Sequence, residues 1–329
     1  MRRLISDEAV FQSDVVSYFS ADAPLFLSRI GGSDTSALLD FLSVERADAA
    51  ALDAHVHTYL PYVERFNGFY DRGSDKRGSY LRYLDELRAC YLSMRMATFV
   101  HTHLISTFFP NSIHPNFFTA DVPNLPTLNA LVEEIVGKPD FIGAYPYLFI
   151  ERCVHNQYTL FRNFTTILSG KTVLVLCPFG ESIEANFKNR NSFFKGGYEY
   201  PDFKLKIINT PITYAGMDPA NYPHDDWFAT ADALKELIRG VEFDVALMAC
   251  GSYAMPLGVF IEQDMKKKAI YVGGVLQLLF GVIGRRYENP FFLDQINREH
   301  YIQPIERQRY LDVIPTEDSA AREAFGAYF

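Results

Sequence analysis

Four short turns in this chain carry residue types that hold anions. They are Arg29-Ile30-Gly31-Gly32-Ser33-Asp34, Cys177-Pro178-Phe179-Gly180-Glu181-Ser182, Cys250-Gly251-Ser252-Tyr253 and Gly273-Gly274-Val275-Leu276-Gln277. Each contains glycine, which admits positive φ and lets a ligand approach the backbone. Taken singly, glycine is also common in any short strand-to-helix connection; four such turns together point to a diphosphate or ribose site. Arg29 can pair bidentately with phosphate or with a neighbouring carboxylate. Asp34 can cap a helix, or hold Mg2+ or Mn2+ against a diphosphate, since phosphate oxygens complete the shell of an ion bound by one or two carboxylates. Ser182 offers an anion both its hydroxyl and its N–H. Glu181 and Glu184 flank a helix start, where a carboxylate suits the dipole with or without a catalytic task. Arg285 and Arg286 either complement the C-terminal dipole of the preceding helix or neutralise a leaving diphosphate. Neither G-x-x-x-x-G-K-[ST] nor G-x-G-x-x-G occurs, which argues against a P-loop NTPase and weakens the case for a dinucleotide enzyme. His55 and His57, like His101 and His103, stand two apart on expected helices and do not share a face, so no histidine metal site is expected.

Those turns act together only if strands bring them to one edge. The apolar runs Pro24 to Ile30, Thr172 to Cys177, Leu205 to Asn209, Asp244 to Cys250 and Ala269 to Val272 read as strands. Their continuous rather than alternating apolarity is that of strands covered on both faces. Between and after them, helices are expected over Ile183 to Asn189, Thr230 to Gly240, Met255 to Met265 and Val275 to Ile283. The expected fold is therefore α/β: a doubly wound, mostly parallel, Rossmann-like sheet with a helical insertion in the N-terminal half. Ligands of such sheets sit outside the carboxyl ends of the strands, where the four turns lie.

Within a single domain spanning 1–329, residues 47–168 read as the mainly helical insertion. Leu84, Leu87, Tyr91 and Met94 recur at helical steps within the unbroken stretch Arg82 to His103. Phe108 to Pro126 reads as a long loop, followed by helices over Leu128 to Val136 and Glu151 to Leu168. A boundary falls near Gly170; residues 170–287 form the nucleotide-binding βα part and residues 288–329 a C-terminal segment that wraps the surface or covers a cleft.

With 329 residues, 48% of them hydrophobic, the chain can bury a large core. A net charge of −9 removes the broad basic footprint that nucleic acid requires, so no nucleic-acid partner is expected. Cys90, Cys153, Cys177 and Cys250 match no C-x-x-C spacing and read as reduced core residues. The N-terminus lacks a signal-peptide apolar region, and no segment reaches the roughly 18 to 20 apolar residues of a membrane span. The expected location is the cytoplasm, with peripheral contact at the inner membrane face left open.

Taken together, the Arg29 to Asp34 turn, the strand and turn from Val173 to Ser182, and the stretch Asp244 to Tyr287 resemble a bacterial glycosyltransferase group of the GT-D type. The last stretch, with Ala249-Cys250-Gly251-Ser252-Tyr253 and Gly273-Gly274-Val275-Leu276-Gln277-Leu278-Leu279-Phe280-Gly281, is the most specific part, and the likeness covers about half the chain. The resemblance implies transfer of a sugar, such as a hexose or galactofuranose, from a nucleotide-sugar donor to a glycan or lipid-linked glycan acceptor in O-antigen or capsule assembly. It also implies a D-x-E metal motif within an Arg-x-Gly-Asp-x-Glu type turn. Arg29 and Gly31 match that turn, but Gly32 stands at the first acidic position and Asp34 replaces the Glu. One carboxylate is left for Mn2+ or Mg2+, and metal-free binding by Arg29, Ser182 and Arg285 or Arg286 stays open. On this reading Gly251, Ser252, Tyr253, Gly274 and Gln277 line the donor site. A catalytic base would come from Glu181, Asp225 or Asp226, the last two also reading as caps of the following helix. Two rivals are a polysaccharide pyruvyl or other group transferase, and a non-catalytic nucleotide- or sugar-binding protein.

Overall fold

The computed structural model describes residues 3–5, 8–30, 32–45, 48–99, 142–144, 165–197, 199–213, 217–288 and 290–313. They build an α/β Rossmann-like fold on one eight-stranded sheet whose strand pairs, among the described residues, are all parallel. The strands are β1 (Arg3–Ile5), β2 (Leu25–Ile30), β3 (Met96–Phe99), β4 (Ile142–Ala144), β5 (Thr172–Cys177), β6 (Lys204–Asn209), β7 (Val245–Met248) and β8 (Lys268–Tyr271), in the spatial order β1-β4-β3-β2-β8-β7-β5-β6.

The central strands show why continuous apolarity marks this arrangement. Val173, Leu174, Val175 and Leu176 of β5 and Ala246, Leu247 and Met248 of β7 are all fully buried, because successive side chains point to opposite faces and both faces are covered. β6 lies at the edge and alternates instead, exposing Lys204, Lys206 and Asn209. Edge lysines discourage pairing with another chain. β5 continues to β6 on one side, whereas β7 lies on the other side of β5 and continues to β8. The winding thus reverses between β5 and β7, the place where open α/β sheets leave a crevice.

The helices that accompany these strands include α1 (Glu8–Ser20), α2 (Gly32–Val44), α3 (Ala49–Phe66), α4 (Lys76–Ser93), α5 (Gly180–Asn186), α6 (Trp227–Arg239), α7 (Ala254–Gln263) and, after β8, α8 (Leu276–Leu279). Several start on an aspartate that accepts a backbone N–H: Asp48 from Ala51, Asp75 from Gly78 and Asp226 from Ala229, at 2.9, 2.9 and 2.7 Å. α7 packs on β2 and β8 and touches α4 and α6. Gly258 of α7 makes this approach close, since a Cβ there would lie 2.2 Å from the Phe26 ring.

The structure departs from the expected insertion. The helix expected from Arg82 to His103 ends at Ser93, and Met96–Phe99 forms β3 in register with β2. Ser28 holds this edge by donating its hydroxyl to the Met96 carbonyl at 2.8 Å. β3 and β4, both within the 47–168 segment, are thus strands of the main sheet. The expected loop from Phe108 to Pro126 and the helix Leu128 to Val136 lie outside the described residues, as do Glu151 to Phe164 of the last expected helix and Cys153. The helix expected over Val275 to Ile283 stops at Leu279, because Gly281 adopts φ +72° and Ile283 turns to donate to the Ile302 carbonyl at 2.9 Å. Among the described residues no helix is long and apolar enough to cross a membrane. Cys90, Cys177 and Cys250 are buried free thiols. Burial pushes Cys90 and Cys177 up to about 12 and Cys250 higher still.

Candidate functional site

A cleft of about 180 Å³ runs across the carboxyl ends of five adjacent strands. Arg29 of β2, Tyr271 of β8, Ala249 after β7, Cys177 of β5 and Thr210 after β6 mark its length. At ~4.8 Å per strand this is a trough of roughly 19 Å.

The β2–β8 end is cationic. Arg29 lies against Gly273 so closely that a Cβ on that residue would sit 2.3 Å from Nη1. Gly273 has φ +78°, a conformation costly for a residue with a side chain. The turn thus needs glycine twice, for its own backbone and for the guanidinium beside it. Arg29 also stands 5.6 Å over the Tyr271 ring. Gly251, at φ +57°, turns the chain after β7 past the Asn67 carbonyl, and both residues line the cleft.

Asp34 sits in the first turn of α2, behind Asn67. Its Oδ1 accepts from the Tyr83 hydroxyl at 2.8 Å and from the Asn67 carboxamide, and no other hydrogen bond is made by Oδ2 among the described residues. Burial outweighs these two bonds and raises the carboxyl to about 6. Tyr83 is in turn pushed well above the usual phenol range by burial and by the Asp34 charge, which keeps it a donor. Among the described residues no group of three or more His, Cys, Asp or Glu could hold a metal ion. An ion on Asp34 would therefore take its remaining ligands from a bound phosphate or from water.

Two further lining residues are neutral and polar: Thr210, after β6, and Gln277 on α8, four residues after Gly273. Gln277 is 2% exposed and Thr210 2%, both line the cleft, and Gln277 Nε2, Gln277 Oε1 and Thr210 Oγ1 are buried with no hydrogen-bond partner among the described residues. Orphaned buried polar atoms each cost about 1–3 kcal/mol, so these three call for partners from water or a ligand in the cleft.

Several expected site residues lie elsewhere. Ser182 is fully buried: its N–H donates to Glu306 Oε1 at 3.0 Å, its hydroxyl donates to Glu306 Oε2, and the same hydroxyl accepts from the Ile305 N–H at 2.8 Å. The anion at this turn is the protein's own carboxylate, and Ser182 has no group left for phosphate. Ser252 is likewise engaged, accepting from Trp227 Nε1 at 2.8 Å, while Tyr253 lines the cleft with its ring stacked on Trp227. Arg285 and Arg286 are exposed on a 3-10 turn and line neither this cleft nor its neighbour. Asp225 is 95% exposed and 3.5 Å from Arg72, and Asp226 caps α6. Gly274 lines the cleft, Gly32 opens α2, and Gly31 lies outside the described residues.

Glu181 lines a second cleft that shares Thr210, Pro211 and Ile212 with the first. It pairs there with Arg309 at 2.9 Å, on the C-terminal helix Arg307–Val313. Sequence reasoning missed Thr210 and Asn67. Thr210 follows a strand, so the rule that selected the other four turns would have found it; Asn67 carries only the Asn67-Gly68 turn signal.

The chain matches no protein-family profile and no curated protein. It is similar to a solved structure described as the selenomethionine-substituted structure of a domain of unknown function, DUF1792. The TM-score is 0.45 and the identity 11%, over 95% of this chain and 94% of that one.

Proposed function

We propose that this protein is a glycosyltransferase that moves a sugar from a nucleoside-diphosphate donor to a glycan or lipid-linked glycan acceptor, as in assembly of a surface polysaccharide such as O-antigen or capsule. The carrying observation is the trough across the strand ends, cationic at Arg29 and lined by orphaned polar side chains at Gln277 and Thr210. Glycosyl transfer needs charge stabilisation on the departing diphosphate, and a preorganised guanidinium in a part-buried cleft supplies it without reorganisation. Asp34, hydrogen-bonded to the lining residue Asn67 though not itself lining the cleft, would be the carboxylate to hold Mn2+ or Mg2+ on that diphosphate, the ion adding further neutralisation of the leaving group. For an inverting reaction Glu181 is the favoured base, since its cleft adjoins the donor cleft at Thr210 and acceptor hydroxyls can reach it there. On this reading the enzyme works in the cytoplasm, with peripheral membrane contact when the acceptor is lipid-linked.

A second reading, binding of a nucleotide sugar without transfer, is favoured by one observation: no carboxylate is among the described residues lining the donor cleft. Incubation of the purified protein with nucleotide sugars and a divalent ion separates the two. Slow release of free sugar, abolished by Arg29→Met, supports transfer. Binding with no sugar released, and none passed to a glycan acceptor, favours the second reading.

A further inference from the structure

We propose that Gln277 and Thr210 form the sugar subsite of the cleft, selecting an uncharged sugar and presenting it to an acceptor that enters through the second cleft. This rests on the donor reading above and goes on to name the residues that read the sugar. The unmet groups are one carboxamide donor, one carboxamide acceptor and one hydroxyl. Adjacent sugar hydroxyls match them, because each hydroxyl both donates and accepts.

A phosphate does not match, since it would leave the donor-only and acceptor-only atoms of Gln277 half satisfied. Its place is beside Arg29, the cation of the cleft. No cationic side chain is among the described residues lining the β5–β6 end of the donor cleft, so a sugar carboxylate finds no partner there. Arg309, in the second cleft, is already paired with Glu181. Thr210 belongs to both clefts, which places the transferred sugar at their junction and Glu181 on the acceptor side.

The test is calorimetric titration of the wild type, Gln277→Met and Thr210→Val with UDP, GDP, UDP-glucose, UDP-galactose, UDP-glucuronate and GDP-mannose. In the series that binds, Gln277→Met should weaken the neutral nucleotide sugar by about tenfold, the loss of two neutral hydrogen bonds, and change the nucleoside diphosphate less than twofold. Thr210→Val should do the same to a smaller degree, and the glucuronate should bind no better than the free diphosphate. Equal weakening of diphosphate and nucleotide sugar would assign Gln277 to the base or phosphate and overturn the proposal, as would no weakening of either. A folded protein that binds none of these probes overturns both this inference and the donor reading. Gln277-dependent sugar binding without sugar release leaves the subsite standing and removes only the transfer reading. Both variants replace orphaned polar atoms by apolar isosteres, so each should melt at or above the wild-type temperature, which controls for folding.

Discussion

Asp34→Asn should stabilise the protein at neutral pH while removing any ion-dependent donor binding. The carboxyl is raised from 3.8 to about 6 because burial penalises its charge more than Tyr83 and Asn67 favour it. A folded-state value above the unfolded one means the native state binds the extra proton between those values. The associated stability is complete below about pH 4 and is lost as pH rises through about 6. Two units at 1.36 kcal/mol each set a ceiling of about 3 kcal/mol on the cost of the ionised form at pH 7. Asparagine keeps an oxygen for Tyr83 and Asn67, whose preference for the charged form is already inside that shift, but it forgoes a favourable charge in the first turn of α2, up to about 1 kcal/mol. The expected net gain is about 1–2 kcal/mol at pH 7.5, shrinking to nothing or reversing near pH 4.

The assay is urea unfolding of both proteins across pH 4 to 8, reading the difference in free energy so that every other titrating group cancels. A difference that does not change with pH, or a variant less stable at pH 7.5 than at pH 4.5 relative to wild type, would refute the argument that burial governs this carboxyl. Nucleotide titration with and without Mn2+ then reads the functional half. The wild type should gain affinity from the ion and the variant should not, a trade of function against stability common at binding sites.

Three other expectations follow from the same geometry. Gly273→Ala should cost about 1–2 kcal/mol in backbone strain and move the Arg29 guanidinium, the mobile end of a side chain, so that affinity for inorganic pyrophosphate falls at least tenfold while the protein stays folded; unchanged pyrophosphate affinity would dissociate Arg29 from the anion. Ser182→Ala leaves Glu306 short of a donor and the Ile305 N–H short of an acceptor, and should cost about 1–3 kcal/mol in urea unfolding with nucleotide affinity intact; a selective loss of nucleotide binding would restore the phosphate role. Cys90, Cys177 and Cys250 should resist a thiol reagent at pH 8 in the native protein and react on unfolding, because burial holds all three well above that pH.

The central sheet was legible because a strand covered on both faces leaves a run with no polar interruptions. Thr172 to Cys177 reads as a strand with the bounds the structure shows, and the four other expected strands shift by only a residue or two at their ends. The other half of the sheet was not legible for local reasons. β4 is three residues containing glycine, β1 is three residues near the chain start, and β3 follows α4 after two residues, so its apolar positions merge with the helical period. Their place in the sheet is decided by pairing with β2 and with one another, a long-range term that no window along the chain contains.

The site divides along the same line. Residues whose role depends on backbone conformation were legible: Gly251 and Gly274 line the cleft, and positive φ occurs at Gly251 and Gly273. Residues whose role depends on a partner far along the chain were not. The turn Gly180-Glu181-Ser182 has the composition of an anion site, and an anion does occupy it. It is Glu306, 124 residues away, held by both Ser182 groups and 2% exposed. The carboxylate that neutralises this turn is fixed there by the C-terminal segment, whose Tyr310 hydroxyl also donates to the Pro178 carbonyl at 2.7 Å. Such a carboxylate cannot leave for a phosphate without exposing Ser182 and releasing that segment. On the proposed reading the donor diphosphate then falls to the end of the trough where a cation faces a glycine turn, at Arg29 and Gly273. On that reading charge is recognised over β2 and β8, and the neutral hydroxyls fall to Gln277 and Thr210.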